Sequence, residues 1–144
     1  MNLYTIGFSG KSAEEFFTLI RDNQIVRVID IRLRPYGQLS GFAKKNDLEF
    51  FLRELTDCEY VYLPKLAPTD EIMKSYRNTK DWEQYVRDFS RLMTERNVPY
   101  CLDSRLFEDA CLLCSETEPD RCHRRLVAEI IEANWEGVNV VHLR

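Results

Sequence analysis

Apolar residues in this chain fall into two patterns that alternate along its length. Short continuous apolar runs are typical of strands buried on both faces, whereas apolar positions three and four residues apart are typical of amphipathic helices. The continuous runs predict five β-strands, at residues 3–6, 25–31, 60–63, 110–114 and 138–143.

Four stretches with helical spacing separate these runs. The first begins at a capping box, because Ser12 is followed three residues later by Glu15. Pro119 is predicted to open the last helix, as proline often does in a first turn. The four apolar stripes are Ala13, Phe16, Phe17 and Ile20; Leu48, Phe51, Leu52 and Leu55; Trp82, Tyr85, Val86, Phe89 and Met93; and Leu126, Val127, Ile130 and Ile131.

Two segments lack a clear period. Residues 64–80 contain Pro64, Pro68 and scattered charges, which predict a long loop. Residues 97–109 are compatible with a loop, an edge strand or a short helical turn. The alternation of strands and helices predicts a single domain over residues 1–144, a three-layer α/β/α fold with a mostly parallel sheet of about five strands.

Composition narrows the class of protein. The chain has 144 residues and a net charge of −4. This acidic balance argues against a protein whose binding depends mainly on nonspecific contacts with phosphate groups. Its five cysteines are an odd number in a chain large enough for an ordinary core, which indicates a reducing compartment, and we expect the cytoplasm. No apolar run approaches the roughly 18 residues of a membrane span, and the start of the chain lacks signal-peptide features.

Reactive residue types cluster where the predicted strands end. In open parallel sheets, ligands bind beyond the carboxyl ends of the strands. There we expect binding residues at or just beyond the ends of the first four strands: Ser9; Asp30 and Arg32; Lys65; and Cys114, respectively. Glu116 also follows the fourth strand, where partial burial would raise its pKa and suit it to acid–base work.

The segment Cys122-His123-Arg124 is the richest in chemistry. A thiol in the first turn of a helix has its pKa lowered, so Cys122 is a candidate nucleophile or ligand, with His123 positioning charge next to it. Arg124 offers a fork for a phosphate or carboxylate. We therefore interpret Glu116, Cys122 and His123 as catalytic candidates.

Structural roles compete with these interpretations. His123 lies on the core-facing stripe of its helix, Cys114 ends a buried strand, and Asp30 with Arg32 is able to form an ion pair that orders a loop. Cys114, Glu116, Cys122 and His123 are also zinc-binding types. Their spacing matches no recognised finger, however, and neighbouring side chains on a helix diverge by about 100°. We predict no metal and no cofactor.

Four ordered blocks resemble the family called domain of unknown function 488. They are Tyr4 to Ser9, Val28 to Arg32 with Pro35, Tyr60 to Leu66, and Leu112 to Glu116 followed by Cys122-His123-Arg124. The resemblance implies a fold and the location of a functional site, but it implies no reaction. It also implies a histidine where this chain has Phe8, and residues 37–42 are atypical of the family. The second strand ends in Asp-Ile-Arg, which is similar to a strand end in rhodaneses. This similarity is an analogy of fold and does not establish function.

Two functions remain as hypotheses. The first is an enzyme acting on an anionic small molecule, a nucleotide or a nucleobase. The second is a non-catalytic regulatory module that binds a nucleotide or nucleic acid, for which the arginines at 121, 124 and 125 offer contacts. A purely structural role has little support in the sequence. We expect no membrane partner, and the oligomeric state is left open.

Overall fold

A computed structural model describes the backbone of residues 1–144 and all side chains except those of residues 38–40. The strands are β1 (Asn2–Gly7), β2 (Arg27–Asp30), β3 (Glu59–Tyr62), β4 (Ala110–Cys114) and β5 (Asn139–His142). The helices are α1 (Ala13–Asp22), α2 (Lys45–Thr56), α3 (Asp70–Thr79), α4 (Trp82–Glu95) and α5 (His123–Asn134). No helix in the described part of the chain has the length and apolarity needed to cross a membrane.

The five strands form one sheet in the order β3-β2-β4-β1-β5, and every neighbouring pair is parallel. This confirms the predicted sheet. Strand β4 lies at its centre and is buried along its whole length, as its continuous apolar run predicts. The carboxyl ends of β1, β2 and β4 are therefore neighbours at one edge.

Helices cover both faces of the sheet, which confirms the three layers. Strand alternation sends Ile29 and Leu112 to one face, where α3, α4 and α5 pack, and Val28 and Leu113 to the other, where α1 and α2 pack. The capping box at Ser12 is present at the start of α1. Each face thus has its own apolar core.

Helix α3 occupies much of the segment that we predicted as a loop, so that prediction was wrong. Thr69 caps the helix by accepting a hydrogen bond from the Ile72 backbone N–H at 3.2 Å, and Asp70 and Glu71 lie in its first turn. Both prolines of the segment precede the helix and so leave it intact. Residues 97–109 form turns and a 3₁₀ turn, Ser104–Phe107.

Helix α5 begins four residues later than Pro119 indicated. Cys122 is its N-cap, with an extended backbone (φ −134°, ψ 140°), and His123 is its first helical residue. Pro119 lies in the preceding turn, where its carbonyl accepts a hydrogen bond from the Cys122 N–H at 3.2 Å. This shift changes the direction in which Cys122 points.

Candidate active site

A cavity of about 410 Å³ lies beyond the carboxyl ends of β2 and β4. The two strands are in register there, and the Ile31 N–H continues the ladder to the Leu113 carbonyl at 3.1 Å. Segments after both strands, the start of α5, and residues of α3 and α4 line the cavity: Arg32, Leu33, Arg34, Pro68, Met73, Tyr76, Arg77, Lys80, Trp82, Tyr85, Cys114, Ser115, Glu116, Arg121, Cys122 and His123.

Two thiols and an imidazole meet in the cavity wall. The ligand atoms of Cys114, Cys122 and His123 all lie within 4.8 Å of one another, and all three residues are buried. Cys114 Sγ is 3.5 Å from His123 Nδ1. The 100° divergence expected of neighbouring helical residues does not apply, because Cys122 stands outside the helix with extended backbone. The divergence that we predicted for the side chains of Cys122 and His123, as a reason against a metal site, was therefore wrong.

The tautomer of His123 follows from its second contact. His123 Nε2 is 2.7 Å from the Ile31 carbonyl oxygen, which only accepts hydrogen bonds. Nε2 therefore carries a proton, and Nδ1 faces the thiols. Nδ1 is thus available to accept a proton from Cys114 or to bind a metal ion.

The two cysteines differ in acidity. Hydrogen bonding from the Cys122 thiol, together with backbone N–H groups of Ser115 and Glu116, lowers the pKa of Cys114 against the effect of burial. The same contact with Cys114, together with burial, raises the pKa of Cys122 well above its ordinary value. We predicted a lowered pKa for Cys122, so the direction is reversed, and Cys114 is the better thiolate.

Alkylation of the native protein will test this assignment. With iodoacetamide and a metal chelator, exposed Cys101 is expected to react first and Cys114 next. Alkylation needs the thiolate. A lowered pKa therefore keeps Cys114 reactive as the pH falls below 9.0, the ordinary pKa of a cysteine thiol. Cys58 and Cys111 should stay unlabelled in the folded chain, because burial raises the pKa of both thiols. Peptide mass spectrometry gives each rate; faster labelling of Cys122 than of Cys114 would contradict the assignment.

The cavity is strongly cationic. Among the described side chains that line it are five cations and one carboxylate, that of Glu116. Arg34 is paired with Asp70. No described carboxylate lies within salt-bridge distance of the other three exposed cations, namely Arg77, Lys80 and Arg121. In a chain of net charge −4, this concentrates positive potential at one place.

Arg32 is the buried member of this set, and Asp30 holds it in place. Its Nε and Nη2 atoms donate to Asp30 Oδ1 and Oδ2, each at 2.8 Å, and Nη2 also donates to the Ala43 carbonyl at 2.7 Å. The phenyl ring of Phe8 covers the guanidinium, with Arg32 Cζ 5.4 Å from the ring centroid. Arg32 Nη1 is buried with no hydrogen-bond partner among the described residues. It has a donor to spare for a ligand.

Arg124 organises the loop that follows β4. This fully buried side chain donates to Thr5 Oγ1 at 3.2 Å and to the backbone carbonyls of Glu116 and Thr117. The Gly7 Cα also touches this loop: a Cβ there would stand 1.5 Å from the Glu116 oxygen. Arg124 thereby fixes the loop that follows Cys114 and carries Glu116.

The structure brings five of the nine predicted site residues to the cavity wall: Glu116, Cys122, His123, Arg32 and Cys114. Glu116 is exposed, so the expected partial burial is not observed. Asp30 and Arg124 are buried behind the wall, as partners of Arg32 and of the loop. Lys65 is exposed in the 3₁₀ turn Pro64–Leu66, and Ser9 is tied to Ser115 through its backbone; neither lines the cavity.

Sequence reasoning missed the residues that α3 and α4 contribute. Arg77 and Lys80 come from the end of α3, in the segment predicted as a loop, and Trp82 and Tyr85 follow at the start of α4. A signal was present. Thr69 precedes two acidic residues, and Ile72, Met73 and Tyr76 then follow at helical spacing.

Comparison with known proteins gives one match. The model of the family described as domain of unknown function DUF488 matches residues 12–131. No curated protein and no solved structure matches the chain. The matched range includes the α5 start and every residue that lines the cavity.

Proposed function

The chain belongs to the family described as domain of unknown function DUF488, and for this member we propose an enzyme that acts on a small anionic molecule, in the first instance a nucleotide or nucleobase derivative. One observation carries the proposal. A single cavity joins five cationic side chains to the cluster formed by Cys114, Cys122 and His123. Binding charge and reactive groups thus face the same volume.

The cations support an anionic ligand. Arginine forks suit phosphate and carboxylate groups, and no described carboxylate lies within salt-bridge distance of Arg77 or Arg121. Buried Arg32 adds a preorganised donor, because Asp30 already fixes its guanidinium. A phosphate that reached Nη1 of Arg32 would satisfy a donor that otherwise lacks a partner.

The apolar part of the cavity supports an aromatic ring in the ligand. Tyr76, Trp82 and Tyr85 line it, with the rings of Trp82 and Tyr85 stacked at a centroid distance of 4.9 Å. The volume of about 410 Å³ falls in the usual range for small-molecule sites, roughly 300–1,000 Å³. A nucleotide combines the ring and the charge that these walls complement.

The reactive groups support catalysis. The Cys114 thiol lies 3.5 Å from Nδ1 of His123, which is placed to accept its proton, while the Ile31 carbonyl holds the imidazole in position. Exposed Glu116 at the same wall is a second proton acceptor. Free thiols of this kind need a reducing compartment, which supports a place in the cytoplasm.

The second candidate is a non-catalytic module that binds a nucleotide or nucleic acid. Phe8 favours it, because the resemblance implies a histidine at this position and the phenyl ring instead covers Arg32. Loss of a titratable group next to the site would suit binding without turnover. Measurements of binding and of turnover separate the two candidates.

Binding of AMP will test the cavity. The double variant Arg77→Gln, Lys80→Gln is expected to weaken AMP binding by about a hundredfold or more, because hydrogen bonds to charged groups contribute roughly 1.5–3 kcal/mol each and two are removed. The control variant Arg87→Gln, Arg91→Gln removes the same charge from α4 at positions that do not line the cavity. Isothermal titration calorimetry gives the affinities, with adenosine and inorganic phosphate as separate ligands. Equal weakening in both double variants, or no binding of any of these ligands, would contradict the assignment.

Turnover is tested by incubating the chain with mixed nucleotides, nucleosides and bases and following consumption by mass spectrometry. Cys114→Ser is expected to slow any reaction by about a hundredfold or more, the usual scale for a group active in proton transfer. Cys101→Ser, at an exposed position, serves as the control. Binding without any consumption would reject the enzyme and leave the non-catalytic module.

A further inference from the structure

Cys114, Cys122 and His123 have the chemistry and spacing of a metal site, and we propose that they bind one Zn²⁺ whose fourth position is open to the cavity. The inference goes beyond the proposed function, because metal affinity depends on these three residues and not on what the cavity binds. When an ion is bound, Cys114 and His123 would act as its ligands, and the ion would supply a Lewis acid beside the cavity.

The distances suit tetrahedral zinc. With Zn–S near 2.3 Å and Zn–N near 2.0–2.1 Å, a sulfur and a nitrogen ligand stand about 3.5 Å apart, and two sulfurs about 3.8 Å. The Cys114 Sγ to His123 Nδ1 distance is 3.5 Å. All the ligand atoms lie within 4.8 Å of one another, so the cluster closes around an ion with a movement of about 1 Å.

The orientation of His123 is the one that a metal ligand needs. Histidines that bind metals usually donate their other ring N–H to a carbonyl or carboxylate, which fixes the tautomer and the ring. Here Nε2 donates to the Ile31 carbonyl at 2.7 Å, and the Nδ1 lone pair points at the two sulfurs. The Phe89 ring also packs against the imidazole at a centroid distance of 5.7 Å. The histidine is preorganised.

The charge balance favours a divalent ion. Binding converts two thiols to thiolates and releases their two protons to the solvent, and the resulting pair of negative charges matches Zn²⁺. Burial shields the three ligand atoms from bulk solvent, since Cys114, Cys122 and His123 are only 6%, 3% and 6% exposed. Thiolate and imidazole ligands together select zinc over magnesium or calcium.

The fourth position distinguishes this site from a structural one. Structural zinc sites are closed by four protein ligands, whereas catalytic sites keep three and leave one position for water or substrate. All three residues line the cavity, and no other described Cys, His, Asp or Glu belongs to the cluster. An ion here would hold an anionic oxygen next to the guanidinium of Arg32.

Metal content of the full chain tests the proposal without any substrate. The protein, purified in reductant without added chelator, is expected to hold about one zinc per chain by elemental analysis and native mass spectrometry. After the metal is stripped, titration with Co²⁺ should give the intense visible bands of a tetrahedral thiolate site. Calorimetry in buffers of different ionisation enthalpy should show release of about two protons.

Variants identify the ligands. Cys114→Ser, Cys122→Ser and His123→Gln should each lower Co²⁺ affinity by more than about 100-fold, while Cys101→Ser binds as the parent does. Circular dichroism reports whether each variant is folded, and the parent titration remains decisive if one is not. A parent chain that takes up neither ion in the tetrahedral form, that binds unchanged after Cys122→Ser, or that carries a Cys114–Cys122 disulfide instead would overturn the proposal. AMP binding is measured separately. A chain that binds AMP but no metal contradicts the zinc site alone, and a chain that binds metal but no AMP contradicts the cavity assignment alone.

Discussion

Asp30→Ala is expected to lower the free energy of unfolding by about 3–5 kcal/mol, because it leaves a buried guanidinium without its counter-ion. Asp30 and Arg32 are 0% and 3% exposed at their side chains, and two hydrogen bonds of 2.8 Å join them. Urea denaturation followed by circular dichroism measures the change. The same variant should also weaken AMP binding, since Arg32 loses the contact that orients it.

The chain contains its own control for this variant. Asp103 and Arg105 repeat the local geometry, with the carboxylate accepting from the backbone N–H and the guanidinium two residues later, but on the surface. Asp103→Ala is therefore expected to destabilise the fold far less, because water replaces the lost partner. Removing both buried charges, as in Asp30→Asn with Arg32→Met, should recover part of the loss. Equal destabilisation by the two alanine variants would show that burial is not the cause.

Gly7→Ala is expected to lower the free energy of unfolding by about 3 kcal/mol or more, because the new methyl group overlaps the loop after β4. Its carbon would stand 1.5 Å from the Glu116 carbonyl oxygen and 2.9 Å from Arg124 Nη1. The loop has to move, and with it Cys114. Denaturation measures the stability, and alkylation of Cys114 in the folded variant measures the displacement.

Gly137→Ala is the matched control. Gly137 has a positive φ of 70° and nothing within 4 Å of an added Cβ, so only backbone strain of about 1–2 kcal/mol is expected. If Gly7→Ala were no more costly than Gly137→Ala, the close approach between β1 and the β4 loop would be unimportant to stability.

Elements with strong periodicity were predictable, and α3 was not. Strand β4 has the bounds that its apolar run indicates, because a central strand is buried on both faces. Helix α3 has no fully buried residue, so its apolar stripe is short, and two prolines before it resemble the composition of a loop. Because α3 is only weakly buried, its apolar periodicity is weak. The cations that α3 contributes to the cavity were therefore missed together with the helix.

The site was predictable in position and not in detail. Because parallel strands end at one edge, Arg32, Cys114 and Glu116 could be expected near the start of α5. The conformation of Cys122 depends on where α5 begins, which is four residues later than Pro119 indicated and is not determined by composition. Lys65 failed to reach the cavity because β3 is an edge strand and its 3₁₀ turn leaves the side chain exposed.

The placement of the two tryptophans makes occupation of the cavity measurable by intrinsic fluorescence. Trp82 lines it, in ring contact with Tyr76 and Tyr85, whereas Trp135 packs on Phe107 away from it. Indole emission depends on the polarity and quenchers around the ring. Occupation of the cavity will therefore change the fluorescence of one of the two tryptophans. A Trp135→Phe chain carries Trp82 as its single tryptophan, and selective excitation of that indole allows ligands to be screened without a label.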